Sequence, residues 1–339
     1  MRVLLIKTSS MGDLIHTLPA LTDAGNAIPG IRFDWVVEDG FNEIPAWHPL
    51  VDRVIPVALR RWRKGWLSSS TRNEWRALRN EMQAQSYDLV LDAQSLVKSA
   101  LLSMFANGPR AGLDFHSARE SFASLAYQRK YTVNFYQHAI VRMRSLFSLA
   151  LQYDLPATAP LFGVDRQRFQ TTTSAENYMV FLHGTTWPSK QWPEIYWQEL
   201  ARMAAENGFR IKISGGNPEE QARAARIAAG NTSVDLLPRL TIQQMAELLA
   251  GARAAVAVDT GFGHLAAALD LPTVSIYGST NPDYTGALGP SSIHLRTNFP
   301  CAPCLNRSCT YRTPSAITPA CYTTLPPIQV WKSVSALIR

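Results

Sequence analysis

Short apolar runs bounded by polar or turn residues alternate along the chain with longer stretches whose apolar positions recur every three to four residues. In the first half, the runs at residues 3–6, 33–37, 54–57 and 89–91 read as buried strands. Between them, residues 14–27, 71–84 and 97–105 carry helical periodicity. The rhythm repeats in the second half, with strands at 179–182, 210–213, 255–258 and 273–276 and helices over 193–207, 218–229, 242–250 and 263–269. Strand–helix alternation over two stretches predicts an α/β protein of two Rossmann-like, doubly wound domains facing across a cleft. Residues 154–175, with Pro156, Pro160 and a Thr-Thr-Thr-Ser run, form the natural linker. The expected division is 1–165 and 166–325, with a C-terminal helix over 326–339 packing back on the N-terminal domain. The halves share architecture but no sequence repeat. In such sheets ligands sit beyond the carboxyl ends of strands, so the chemistry is sought in post-strand loops.

Composition narrows the class. Of 339 residues, 46% are hydrophobic and 17% charged, which excludes a disordered chain, a collagen or a small disulfide scaffold. The longest uncharged run, residues 313–331, contains Pro314, Pro319, Pro326 and Pro327 and is not an apolar spanning helix. Residues 1–7 have too short an apolar core for a secretory signal. A soluble cytoplasmic protein is expected. The net charge of +7 is uneven: residues 1–150 hold 18 Lys+Arg against 13 Asp+Glu, and residues 151–339 hold 15 against 13. Most of the excess lies in 53–79, where Arg53, Arg60, Arg61, Arg63, Lys64, Arg72, Arg76 and Arg79 face only Glu74. Such a patch favours an anionic partner: a phosphorylated substrate, nucleic acid or an anionic lipid surface. No nucleic-acid fold signature accompanies it, which disfavours the second.

Three post-strand loops carry candidate chemistry. The first is Lys7-Thr-Ser-Ser-Met-Gly-Asp13, where small hydroxyls and Gly12 allow close approach of a ligand. Ser10 or Asp13 reads equally as a helix cap; the functional reading makes Asp13 a general base. The second is His183-Gly-Thr-Thr-Trp-Pro-Ser-Lys190, in which Thr185, Thr186 and Lys190 suit a phosphate, against a plain solvated loop. The third, Asp259-Thr-Gly-Phe-Gly-His-Leu-Ala266, is a turn whose helix start can hold a diphosphate. Residues 261–266 match the dinucleotide fingerprint G-x-G-x-x-G/A, but late in the second half, so a nicotinamide dehydrogenase is the lesser alternative. His264 is a cap, a buried donor or a ligand contact. Glu220 opens a helix after a Gly-Gly turn, either complementing the helix dipole or accepting from a ribose diol.

Two clusters stay open. Cys301, Cys304, Cys309 and Cys321 have a spacing that permits a four-thiolate zinc site or reduced thiols in a Pro-rich loop. Arg60-Arg-Trp-Arg-Lys-Gly-Trp66 interleaves cations with Trp62 and Trp66, four apart on one helical face; it reads as solvated surface, a membrane-interface anchor or an anionic-sugar clamp.

These motifs together resemble the heptosyltransferase I family of lipopolysaccharide synthesis, within glycosyltransferase family 9. The likeness rests on residues 7–23, Phe33-Asp-Trp-Val-Val-Glu38, residues 60–64, Asp92-Ala-Gln-Ser-Leu-Val-Lys-Ser-Ala100, Ser117-Ala-Arg-Glu120, His183-Gly-Thr-Thr186, Lys190-Gln-Trp-Pro193, Asp259-Thr-Gly261 and His264-Leu-Ala266. It implies a GT-B fold, an N-terminal acceptor domain and a C-terminal donor domain. It also implies inverting, metal-independent transfer of L-glycero-D-manno-heptose from ADP-heptose to the first Kdo of Kdo2-lipid A, with no cofactor. The location implied is peripheral, on the cytoplasmic face of the inner membrane, held by its anionic surface. Heptosyltransferase II, with another acceptor, is the alternative. By position, Asp13 is the implied base, with Lys190 aiding catalysis. Thr185, Thr186 and Lys190 would hold the diphosphate, Glu220 the ribose, and Asp259, Thr260, Gly261 and His264 the heptose and phosphates. Ser10, Gly12, Arg60, Arg61, Arg63, Lys64 and Arg119 would meet the anionic acceptor. The chain departs from the family pattern at Ser95, where Gly is usual and a tighter acceptor side is expected, and at Phe262-Gly263, where a hydroxyl cap is lost.

Overall fold

The computed structural model describes residues 1–65, 68–170 and 176–338. The chain divides into two compact units, Met1–Val164 and Asp165–Arg339. In the first, the elements run β1 (Arg2–Ile6), α1 (Met11–Ile15), α2 (Leu18–Ala27), β2 (Arg32–Glu38), α3 (Glu43–Ala46), β3 (Val51–Val57), α4 (Leu59–Lys64), α5 (Ser69–Gln83), β4 (Leu89–Asp92), α6 (Val97–Ser103), β5 (Arg110–Leu113), β6 (Arg129–Tyr131) and α7 (Ala139–Leu151). The second runs β7 (Tyr178–Leu182), α8 (Glu194–Glu206), β8 (Arg210–Ile213), α9 (Pro218–Ala228), β9 (Val234–Leu236), α10 (Ile242–Gly251), β10 (Ala254–Val258), α11 (Gly261–Ala268), β11 (Thr273–Tyr277), α12 (Pro282–Thr285), β12 (Ser292–Arg296) and α13 (Pro327–Leu337).

Each unit holds one parallel sheet, in the orders β3-β2-β1-β4-β5-β6 and β12-β11-β10-β7-β8-β9. Counted from its own first strand, each order is 3-2-1-4-5-6, the doubly wound pattern. The order reverses between β1 and β4 in one unit and between β7 and β10 in the other, which directs ligands to the loops after those strands. The central strands are apolar throughout because helices cover both faces; β1, β4, β7 and β10 are almost wholly buried.

The sequence-predicted helix over 14–27 is two helices. Pro19 has no N–H to give, and its ring would meet the Ile15 carbonyl, so α1 stops and α2 starts with Pro19 in its first turn. The terminal helix, α13, buries Val330 and Val334 in the core of the second unit, with Trp192, Trp197 and Val274. A short helix with one apolar face has that face consumed by a single partner surface. Among the described residues, no helix is long and apolar enough to cross a membrane.

Candidate functional site

In the second unit, the loops after β7, β8, β10 and β11 meet at the switch point. Thr185 donates its hydroxyl proton to the Asp259 carbonyl at 3.0 Å, tying the β7 loop to the β10 loop. A short turn over Pro188–Lys190 then aims Lys190 back across them. Its ammonium lies 2.7 Å from Asp259 Oδ2 and 4.7 Å above the Trp187 ring. Thr280, after β11, donates to the same carboxylate oxygen at 2.7 Å. The pair is largely withdrawn from water, with Lys190 17% and Asp259 8% exposed.

Beside this pair α11 begins. Thr260 is extended at the N-cap, and its carbonyl accepts from Gly263 and His264, so the helix's leading amides stand outside the intrahelical ladder. A Cβ at Gly263 would lie 3.0 Å from that of Ala257, so glycine here seats the helix start directly on β10. His264 is buried in the first turn.

Glu220 sits in the first turn of α9, which Asn217 caps, and accepts from the Gly216 amide at 2.8 Å. A side chain at Gly184 would come within 2.9 Å of the Glu220 carboxylate, so glycine there admits the acid to the β7 loop. The structure thus brings together Thr185, Lys190, Glu220, Asp259, Thr260, Gly261 and His264, with Thr186 exposed on the β7 loop. His183, fully buried, is pushed down to about 4 chiefly by desolvation, and is a neutral strut against the Ser214 carbonyl. Trp187 and Thr280 were missed by sequence reasoning. Thr280 follows a strand, a signal that was present; the role of Trp187 emerges only once Lys190 folds over it.

In the first unit, the loops after β1 and β4 are bolted together. Gln94 Oε1 accepts from the amides of Thr8 at 2.9 Å and Ser9 at 3.1 Å. Lys7 donates to the Ala93 carbonyl at 2.9 Å. Asp92, fully buried, organises the β4 loop by accepting from the Gln94 and Ser95 amides and from the hydroxyls of Ser99 and Tyr127. Burial pushes its carboxyl upward against those four bonds.

Asp13 occupies the third position of α1 and both readings of it meet there. It caps, accepting from the Ser10 amide at 2.8 Å and the Ser10 hydroxyl at 2.9 Å. Both bonds converge on Oδ2, so capping leaves Oδ1 unused. Around it gather cations. Burial lowers the Lys7 pKa most; Asp13 and Asp92 oppose that, while Arg142 and Arg119 add to it. Burial also lowers the pKa of Arg142, with Asp13 opposing; its guanidinium lies 4.5 Å over Phe135. Arg142 was missed because nothing in α7 marks it off from an ordinary surface arginine.

The basic run is less uniform than its sequence. Arg61 forms a two-pronged pair with Glu74 at 2.8 and 2.7 Å, and that bond holds the Glu74 carboxyl down at about 2. The Arg60 guanidinium stands 5.7 Å from the Phe41 ring, and Arg63 and Lys64 are exposed. Trp62 is no interface anchor: it is buried against Trp75 and donates to Glu74 at 2.6 Å. Trp66 lies outside the described residues. Arg119 is exposed on the loop after β5. Ser95 takes φ +57°, the left-handed region where glycine is at ease, and is buried.

The four cysteines line one cavity together with Ser189, Ser279 and Tyr311, all as free thiols. Burial raises the Cys321 thiol to about 11. Among the described residues, no three His, Cys, Asp or Glu side chains come together as a group able to hold a metal ion. The cysteine segment instead braces the Lys190 turn: Ser189 donates to the Asn306 carbonyl at 2.5 Å, and its amide to that of Arg307 at 3.1 Å.

Known proteins share this fold and sequence. Residues 75–314 match glycosyltransferase family 9 (heptosyltransferase). The chain is 53% identical to lipopolysaccharide heptosyltransferase 1 of Pseudomonas aeruginosa, over 100% of this chain and 98% of that protein. The Escherichia coli heptosyltransferase WaaC with ADP superposes with a TM-score of 0.89 at 44% identity, covering 99% of this chain and 100% of that one. The same enzyme with ADP-2-deoxy-2-fluoro heptose gives 0.85 at 44% identity, covering 99% of each. Lipopolysaccharide heptosyltransferase 2 of Escherichia coli is 26% identical over 85% of this chain and 86% of that protein. The fold class is therefore the GT-B one of WaaC, and the dehydrogenase alternative gives way. Two doubly wound sheets and a match through most of the chain make it a member of glycosyltransferase family 9, the heptosyltransferases.

Proposed function

We propose that the chain transfers L-glycero-D-manno-heptose from its ADP derivative to the first Kdo of Kdo2-lipid A, with inversion and without a metal ion. The observation that carries this reading is the Lys190–Asp259–Thr280 cluster beside the α11 start, with Glu220 at the neighbouring loop. The 53% identity to a heptosyltransferase 1, against 26% to a heptosyltransferase 2, favours the first-heptose acceptor over the alternative.

A bare carboxylate beside a diphosphate would repel it. Asp259 is compatible with an anionic donor because Lys190 neutralises it, leaving the acid to face sugar hydroxyls with Thr260 and His264. The ammonium, the Thr185–Thr186 loop and the α11 amides then meet the diphosphate. Glu220 accepts from the ribose diol. In the first unit, Asp13 Oδ1 takes the proton of the acceptor hydroxyl, while Ser10 holds the carboxylate by Oδ2 and Gly12 keeps the approach open. Arg119 and Arg142 attract the acidic sugar, and Arg60, Arg63 and Lys64 add to the field; Arg61 contributes less because Glu74 pairs it.

The acceptor oxygen attacks the anomeric carbon opposite the leaving group, its O–H proton passing to Asp13. The carbon–oxygen bond to ADP breaks and its electron pair stays on the diphosphate, where Lys190 and the α11 dipole stabilise it. Fixed cations of the chain supply that stabilisation, so turnover should persist in EDTA. With a lipid-linked acceptor, the protein works at the cytoplasmic face of the inner membrane as a peripheral enzyme. The test is the mass of the product from ADP-heptose and Kdo2-lipid A. A gain of one heptose is expected, lost in Asp13→Ala while ADP still binds. Near wild-type turnover by Asp13→Ala would overturn the base assignment.

A further inference from the structure

One face of the first unit is apolar where a soluble surface should be polar. On α6, Val97, Leu101 and Met104, spaced at i, i+4 and i+7, are 40%, 56% and 54% exposed, while Ala100, Leu102 and Ser103 point inward and are buried. The helix carries large apolar groups on its wet side, the reverse of an ordinary amphipathic surface helix. Next to it, the short turn over Ser121–Ala126 exposes Phe122 and Leu125, each 71%. The Phe122 ring packs edge-on against that of half-exposed Phe115 at 6.0 Å. The two segments are joined: Glu120 accepts from the Val97 amide at 2.7 Å, and Ala100 packs with Ala123 and Tyr127 beneath them. Contiguous exposed apolar groups of this kind mark a contact surface.

The charges say with what. Residues 95–136 hold five Lys+Arg against two acids. Both acids are occupied inside the fold, Glu120 at the α6 amide and Asp114 by the Thr132 hydroxyl and the Ser117 amide. Lys98, Arg119, Arg129 and Lys130 are exposed around the apolar groups. We propose that this face docks the enzyme on an anionic bilayer, the aromatic and aliphatic side chains entering the interface and the cations meeting lipid phosphates. A second copy of the chain is a poorer occupant, since a two-fold contact would set the same cations against each other. The face starts two residues beyond Ser95, whose loop is bolted to that of Asp13, so a docked enzyme presents its acceptor loops near the membrane. The inference rests on the lipid-linked acceptor proposed above.

The test is partition of the full chain onto vesicles of phosphatidylethanolamine with one quarter phosphatidylglycerol, against vesicles of phosphatidylcholine alone. Sedimentation should show preferential binding to the anionic vesicles. The double variant Phe122→Ser/Leu125→Ser should weaken it about 30-fold, two large insertions being lost. Ile195→Ser, equally exposed on α8 of the other unit, should leave it unchanged. Turnover on an acceptor stripped of its acyl chains should be equal in all three proteins. Wild type that transfers heptose but ignores anionic vesicles overturns the docking face and spares the heptosyltransferase reading. Wild type that binds vesicles as described but transfers nothing supports the face and removes the function. Equal loss in Ile195→Ser, wild-type partition of the double variant, or self-association at this face in its place overturns the proposal.

Discussion

Replacing Lys190 by methionine tests the donor site most sharply, because two separable effects follow from one ion pair. Lys190 and Asp259 lie 2.7 Å apart and are mostly shielded from solvent. A charge-assisted contact to a phosphate oxygen contributes roughly 2 kcal/mol. Removing the ammonium also unmasks Asp259, and two unit charges about 7 Å apart at an effective dielectric near 20 repel by roughly 2 kcal/mol. Lys190→Met should therefore weaken ADP binding by about 4 kcal/mol, close to a thousandfold in Kd. The double variant Lys190→Met/Asp259→Asn still lacks the contact but no longer carries the repulsion, and should recover about 30-fold relative to Lys190→Met. Isothermal titration with ADP at low and moderate salt measures both, and urea unfolding checks that the singly charged variant is still folded. A double variant that binds ADP no better than Lys190→Met would falsify the screening role given to Lys190.

Gln94→Ala strips the shared acceptor from the Thr8 and Ser9 amides and should cost about 2 kcal/mol in urea unfolding, with kcat falling because the Asp13 loop loses its anchor; unchanged stability would count against it. Ser95→Gly should stabilise by about 1 kcal/mol, since it relieves a left-handed serine whose buried Oγ has no partner among the described residues; a lower melting temperature refutes it. His48 and His183 are each held down near 4 by burial, against about 6.5 unfolded. Between those values the unfolded chain binds the extra protons, so their contribution is whole above pH 6.5 and is lost as pH falls toward 4, by roughly 3 kcal/mol each. Asp92, raised by burial, works the opposite way, so the measurement is the difference in pH slope between wild type and His48→Gln, which should be shallower in the variant.

The strands that were most plainly legible are the central ones. Residues 3–6, 89–91, 179–182 and 255–258 are covered on both faces and therefore read as unbroken apolar runs. The strands that escaped lack that signal for physical reasons. β6, at a sheet edge, is Arg-Lys-Tyr and mostly exposed, and β12, at another, is only half-buried. β5 is small rather than apolar, because Gly112 must leave room for the Tyr127 ring, which a Cβ would approach to 2.4 Å. The donor loops were found because they follow strong strands. What hid was pairing across loops: Thr280 onto Asp259, Gln94 onto two amides, Glu74 onto Arg61 and Trp62, each joining residues 12 or more apart. The basic run shows the cost of reading charge without partners, since one arginine is neutralised and one tryptophan buried within it.

The two switch points use the same topology for opposite electrical ends. In the first unit the polar atoms are spent on structure: Gln94 and Lys7 bond backbone across the β1–β4 junction, and Asp92 fixes the β4 loop itself. A loop fixed in that way holds Asp13 at one orientation, which its proposed role as proton acceptor requires, because misplacement costs rate more steeply than affinity. In the second unit the principal contact is an ion pair between side chains, and a side-chain ammonium can exchange partners without moving the backbone. In the proposed reaction, as negative charge develops on the departing diphosphate, Lys190 turns part of its field from Asp259 to the phosphate, while Thr280 keeps the carboxylate hydrogen-bonded. On that reading, positive charge is held ready at the leaving group but masked until an anion arrives. Rigid backbone bonding suits the proposed base and an exchangeable pair suits the proposed leaving-group site, two opposite charge demands met by one repeated fold.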